Sequence, residues 1–353
     1  MRSVGPETVT RSRQSSAARR LALPVGVSFV VLVSAPAIGQ VRGAIQAAFP
    51  GQYRLILVAF VAAAIVAGVL YALATVRKGR VLRFGLIGAA IAAGALYSLA
   101  TATGNANVDA VERFHFAEYG FLALLYHRVW RDRSAAAALL LAFLAVFMVG
   151  TLDEGIQWFV PIRVGEWRDV LLNSVAIVCG LVFAAALQRR DAHLQPYRSS
   201  RRESLVMLGA TSLLFAAFFY LVHVGHEVRD PVIGMFRSRY TASGLLANAA
   251  DRAQRWRTAP LTTLRRYSRE DQYMSEGLWH IQARNEASND PLTQWKENLI
   301  LEQYFQPVLD FPTYNTPKGG RWPEEQRKNV RAIAAGDTRP WVSRANPYPI
   351  YAW

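Results

Sequence analysis

Seven runs, each close to the roughly 20 residues that cross a bilayer core, decide what this chain can become. They lie at about Leu21–Gly39, Leu55–Val76, Leu82–Thr101, Val111–Trp130, Ala135–Thr151, Val170–Leu187 and Ser204–Val224. A soluble core helix needs apolar residues on one face only, whereas most of these runs are apolar all round. The sequence therefore predicts an all-α, polytopic membrane helix bundle of about seven spans. Hydrophobic residues make up 52% of the chain and its mean hydropathy is +0.13, as expected for a membrane bundle with polar appendages. Residues 1–20 are polar and basic, and the first run is longer than a usual signal-peptide core, so it is read as a retained anchor.

The net charge of +15 is distributed in a telling way. Arginines recur between apolar runs instead of clustering on one folded face, which argues against nucleic acid as a partner. They crowd into alternate loops: Arg2, Arg11, Arg13, Arg19 and Arg20 before the first run, then Arg77 to Arg83, Arg128 to Arg133, and Arg189 to Arg202. The intervening loops are poor in Lys and Arg, so the N-terminus is expected in the cytoplasm and, after an odd number of crossings, the C-terminus outside. Such a chain belongs in a bacterial cytoplasmic (inner) membrane, in contact with membrane lipids. The single cysteine, Cys179, rules out an intrachain disulfide or a multi-cysteine metal site.

Composition divides the chain into a basic N-terminus (1–20), the bundle (21–224), an extracytoplasmic, mainly helical region (225–338) and an extended Pro/aromatic tail (339–353). In the outer region, Asp290 before Pro291 reads as a helix N-cap and first-turn proline, opening a helix to about Gln306. Thr262–Ser288 and Pro323–Ala335 also read as helices. The tail is too proline-rich for a helix, and an extended aromatic segment lies on its own domain, the membrane interface or another protein. Trp322, Trp341, Tyr348, Tyr351 and Trp353 are therefore candidate anchors for a partner in a membrane protein complex. In the third run Gly85, Gly88 and Gly94 offer a face for close helix packing.

Charge held at a membrane boundary is costly unless paired, so polar residues beside apolar runs are the places to look for chemistry. Glu112, His115 and Tyr119 share one helical face, with Glu118 turned about 60° away. Downstream, Asp153 and Gln157 share a face, as do Asp169 and Asn173, and Glu154, Arg163 and Arg168 accompany them. Guanidinium matches phosphate or carboxylate bidentately, so Arg163 and Arg168 would suit an anionic ligand. Equally, these groups would satisfy one another, Arg163 pairing with Asp153 or Asp169 and Asn173 capping a helix end. No nucleophile stands beside a base, so no catalytic residue is assigned, and no cofactor is predicted.

These segments resemble the VanZ-like family of small multi-pass proteins, named after a teicoplanin-resistance factor. The resemblance rests on His115, Phe116 and Tyr119 in one helix, and on Asp153, Glu154, Gln157, Pro161, Arg163, Arg168, Asp169 and Asn173 in the next two, over roughly residues 80–190. Ile162 and Ala176 stand where the family commonly has glycine. The resemblance implies a role at the outer leaflet, with an envelope glycan or lipid-linked ligand at the polar cluster.

Two further clusters are weighed. His223 and His226, at i, i+3 at the outer end of the last run, could share a metal to which Glu227 adds a carboxylate, although the order of a zinc hydrolase is absent. His280, with Arg284, Asn285 and Glu286, reads as a solvated or packing helix face rather than a site.

Overall fold

The computed structural model describes residues 6–37, 41, 44–45, 48–49, 51–102, 106–158, 165, 167–188, 200–258, 272–312, 319–343 and 345. The chain forms two compact units, Met1–Gln157 with Gly165–Ala217, and Trp158–Val164 with Phe218–Trp353.

The first unit is helical: α1 (Pro6–Ser34), α2 (Tyr53–Thr75), α3 (Arg80–Ala100), α4 (Ala106–Val129), α5 (Ala135–Trp158, its last residue counted with the second unit), α6 (Trp167–Leu187) and α7 (Arg201–Phe219). Among the described residues, five helices are long and apolar enough to cross a membrane: α2, α3, α5, α6, and α7 with the turn that follows it. The chain is thus a helical membrane protein. The other two runs counted from sequence fall on α1, whose apolar part is Arg20–Ser34, and on α4, which carries too much charge to qualify by composition.

That charge is tolerable because α4 is the most surrounded helix. It packs most extensively on α6, and also on α2, α1 and α3. The α4–α6 crossing is very close at Gly180, where a Cβ would lie 2.5 Å from the carbonyl oxygen and 2.7 Å from the Cα of Gly120. Around it Tyr119, Leu122, Ala123, Tyr126, Val146, Ala176 and Ile177 form the buried core. The close approach expected of the glycines in α3 is not found where it was sought: Gly85 and Gly88 face open space, and only Gly94 is packed, against the ring of Phe116.

From Phe218 the second unit runs into a π-helical turn (Tyr220–Val224), and the outer region, expected to be mainly helical in an all-α chain, adds a two-stranded sheet just after it. A hairpin of β1 (His226–Asp230) and β2 (Gly234–Ser238) pairs antiparallel, with Val228 opposite Phe236 and both inside. Its turn is built by Asp230, whose carboxylate accepts the backbone N–H groups of Val232 and Ile233 at 2.9 Å each, and by Gly234 at φ +115°. Four helices and a short one follow: α8 (Ala242–Thr258), α9 (Gln272–Glu286), α10 (Pro291–Tyr304), α11 (Gln306–Asp310) and α12 (Glu324–Ala334).

The start of α10 is as the sequence predicts. Asp290 caps it, accepting from the Thr293 backbone N–H at 3.4 Å and the Thr293 hydroxyl at 2.8 Å, with Pro291 in the first turn. Helix α10 is the hub, touching α8, α9, α11 and α12. It helps enclose a core of Phe236, Trp256, Tyr273, Ile281, Ile300, Phe305 and Val308. The first part of the tail, expected to be extended, is laid against this same unit: Met235 donates to the Trp341 carbonyl at 3.4 Å, and Ser343 donates to the Met235 carbonyl at 2.9 Å.

Candidate functional site

Within the first unit α4, α5 and α6 bring six of the nine candidate residues into one cluster. Helix α4 presents His115 and Tyr119 one turn apart, their rings stacked at 5.8 Å. The Tyr119 hydroxyl donates to Asp153 Oδ2 at 3.0 Å across the α4–α5 contact. The last turns of α5 add Gln157, whose amide donates to the same oxygen at 3.1 Å and to Glu154 Oε1 at 3.2 Å. From α6, Asn173 Oδ1 lies 3.2 Å from His115 Nδ1.

Tyr119, Asp153, Glu154, Gln157 and Asn173 are all buried, and His115 is partly so. Gly150 makes the convergence possible, since a Cβ there would stand 3.3 Å from both the Asn173 amide nitrogen and the Tyr119 ring. A buried polar atom without a partner costs about 1–3 kcal/mol, so a cluster of this kind in an apolar bundle is held together by its own bonds. The Asn173 amide nitrogen nevertheless has no hydrogen-bond partner.

Arg168 belongs to the N-terminal end of α6 and is drawn elsewhere. It pairs with Glu112 at 3.1 Å and donates to the Thr101 carbonyl at 3.3 Å, so its charge is engaged by α4 and the end of α3. Asp169 stands beside it, half-buried in the first turn of α6. Asn173 does not cap a helix end as expected: it lies inside α6 and turns its side chain to His115. Arg163, with Pro161, lies outside the described residues. At the other end of α4, Arg20 pairs with Asp132, and Glu203 accepts from Arg133 at 3.2 Å and from the Trp130 indole at 3.0 Å.

The remaining candidates lie in the second unit. The helical spacing that would join His223 to His226 is broken, because the turn ends at Val224, Gly225 adopts φ +64°, and His226 opens a strand. Successive strand residues point to opposite faces, which parts His226 from Glu227, and Glu227 is paired with Arg229. Among the described residues no group of three or more His, Cys, Asp or Glu side chains is arranged to hold a metal.

Trp322 lies under the Arg284 guanidinium at 4.6 Å, and Trp341 donates its indole N–H to Thr293 Oγ1 at 3.0 Å, so both are engaged by their own unit. Tyr348, Tyr351 and Trp353 lie outside the described residues. Of the two faces expected for His280 and Arg284, solvated or packing, they lie on a packing one. His280 is fully buried with Glu297 at 2.7 Å, and Arg284 donates to Asn298 at 3.0 Å and to the Gly320 carbonyl at 2.7 Å. Burial brings Arg284 down to about 10. Sequence reasoning missed this polar core because its partners are far apart in the chain; the i, i+4 repeat of Glu276, His280 and Arg284 was the signal available.

Apolar helices around a buried cluster of acid, phenol, imidazole and amide define a polytopic membrane protein with a polar centre. The chain belongs to the VanZ/LLP1 family, whose profile matches residues 8–188, just over half of its length and inclusive of every residue of the cluster. The part of the second unit from Phe218 onward lies beyond that match. No curated protein and no solved structure matches the chain.

Proposed function

We propose that this membrane protein uses the cluster of His115, Tyr119, Asp153, Glu154, Gln157 and Asn173 to bind the hydroxyl-bearing headgroup of a lipid-linked or glycan component of the cell envelope. The observation behind this is the convergence of those six side chains, from three helices, inside an otherwise apolar bundle. Ionisable groups at such depth are expensive and are retained where they do something. Carboxylates, amides and an aromatic ring suit sugar hydroxyls. The described cluster is rich in acids, with Arg168 engaged by Glu112, so it favours a polyhydroxyl group over a bare anion. The anionic ligand expected from sequence would depend on Arg163.

The accompanying topology is seven crossings, with α1 and α4 added to the five apolar helices, in a bacterial cytoplasmic membrane. The N-terminus lies inside and the C-terminal unit outside, as the arginine distribution requires. No catalytic step is assigned.

The test is mass spectrometry of lipids and proteins carried by the chain purified in mild detergent, compared with Asp153→Asn, which keeps the shape of the side chain and removes its charge. A glycolipid or lipid-linked sugar carried by the wild type and reduced about tenfold or more in the variant, at equal membrane abundance, is the expected result. Identical lipid content in both would reject the reading. Stoichiometric protein partners with no enriched lipid would favour the alternative, an accessory subunit of a membrane complex.

A further inference from the structure

The C-terminal unit holds a cavity of about 320 Å³, near the lower end of the roughly 300–1,000 Å³ of small-molecule sites, with room for one small ring. Two guanidiniums stand in its wall, and both have acidic neighbours. Arg252 donates to Asn248 Oδ1 at 2.7 Å and to Asp251 Oδ2 at 3.0 Å, and Arg239 lies beside Glu276, which accepts its backbone N–H at 3.1 Å. The wall therefore offers no surplus charge to an anion and suits a neutral ligand.

Part of the wall is aromatic and rigid: Trp158 and Tyr240 stack at 5.2 Å with 14° between their planes. Trp158 is only 5% exposed, yet among the described residues its indole N–H has no hydrogen-bond partner, and the same holds for the partly buried imidazole of His226. The small polar side chains beside them are already used. Thr241 Oγ1 meets the Ser243 hydroxyl and the Gly244 N–H at 3.1 Å each, and the Asn248 amide donates to the Gly244 carbonyl at 2.9 Å. An indole donor and an imidazole are thus left open on a wall completed by Leu221 and Ala247. Two of these residues lie at the ends of apolar helices long enough to cross a membrane, Trp158 closing Ala135–Trp158 and Leu221 near the end of Arg201–Val222.

We propose that this cavity binds one neutral hexose ring, its C–H face against the aromatic pair and its hydroxyls on the Trp158 N–H and the His226 imidazole. An aromatic face carries the negative side of the ring quadrupole and attracts C–H groups, while a hydroxyl both gives and takes hydrogen bonds, so it meets an indole donor and either nitrogen of an imidazole. A mostly apolar wall with few polar groups is the usual make-up of a small-molecule site. A free sugar and the headgroup of a neutral glycolipid present the same ring. The site uses none of the residues of the bundle cluster, and either stands if the other fails.

The test is saturation-transfer NMR of methyl β-glucoside on the full-length protein in phosphatidylcholine nanodiscs, and thermal shift in nanodiscs with and without monoglucosyl diacylglycerol. His226→Ala should weaken binding about three- to tenfold, as loss of one hydrogen bond does. Ala247→Trp, at an exposed position on the wall, fills the cavity without removing a polar group, and should abolish binding in a folded protein. Saturation transfer to the glucoside that both variants reduce identifies a free sugar. A shift only with the glycolipid, again reduced by both, identifies a headgroup. Absence of binding to either probe overturns the proposal, and so does binding that survives Ala247→Trp, which would belong elsewhere in the protein, the bundle cluster included.

Discussion

Asp153 Oδ2 takes two donors, Tyr119 and Gln157, and through them ties α4 to the end of α5. Spacing made part of this legible: His115 and Tyr119 a turn apart, and Asp153 and Gln157 likewise, could only share faces if both segments were helical. What spacing could not supply was the partner across the gap. Helix capping was one of the alternatives weighed for Asn173, yet inside α6 its partner is an imidazole far away in sequence. The same blindness hid the pair between Arg327 and Glu302, which is bidentate at 2.6 and 2.8 Å, with Asn298 donating to Glu302 as well at 2.9 Å. The hydrogen bonds from Arg327, chief among the causes, hold the Glu302 carboxyl below its ordinary 4.5. A depressed folded-state value means that the contribution is whole above about pH 4.5 and is lost as pH falls through the lower value. Arg327→Gln should therefore lower stability by about 1 kcal/mol at neutral pH, with the difference from wild type closing in thermal melts as pH falls through the lowered Glu302 value. A difference independent of pH would contradict this origin.

At the scale of elements, the tightest constraint in the bundle is a contact between two glycines that sequence reasoning passed over. The glycines of α3 attracted notice because they recur among alanines; Gly120 and Gly180 are isolated, and only the crossing of α4 and α6 gives them meaning. Their substitution should be asymmetric. A Cβ at Gly180 would lie 2.5 Å from the Gly120 oxygen, so Gly180→Ala must push the helices apart, at about 1–3 kcal/mol. A Cβ at Gly120 meets its nearest atom at 3.7 Å, an ordinary contact, so Gly120→Ala should be neutral or stabilising by up to about 1 kcal/mol through helix propensity. Thermal unfolding of the two variants in detergent measures the contrast, and equal losses would refute the crossing. The hairpin is a different kind of miss. Its signals were present, alternating burial at Val228 and at Phe236 around Asp230, Pro231 and Gly234, but each strand is too short to stand out beside long helical periods.

For the whole molecule, the long apolar runs announced a helical membrane protein, and the drop in hydropathy after Val224 marks where they end. The fate of the aromatic tail was not legible, because an extended segment shows no periodicity by which its docking surface can be read. Residues 339–343 hold onto their own unit: Arg339 pairs with Asp290 at 3.1 Å, Trp341 bonds Thr293, and Ser343 bonds both Met235 and Glu297. Removing residues 339–353 should lower the melting temperature of the C-terminal unit by several degrees and expose it to protease, while the bundle stays in the membrane. An unchanged melt would mean that these contacts carry no stability. The bridge beside Met235, at Trp341–Ser343, is contributed by residues made long after the hairpin itself. Until they emerge during synthesis, the Met235 backbone is an open edge that another extended segment could pair with.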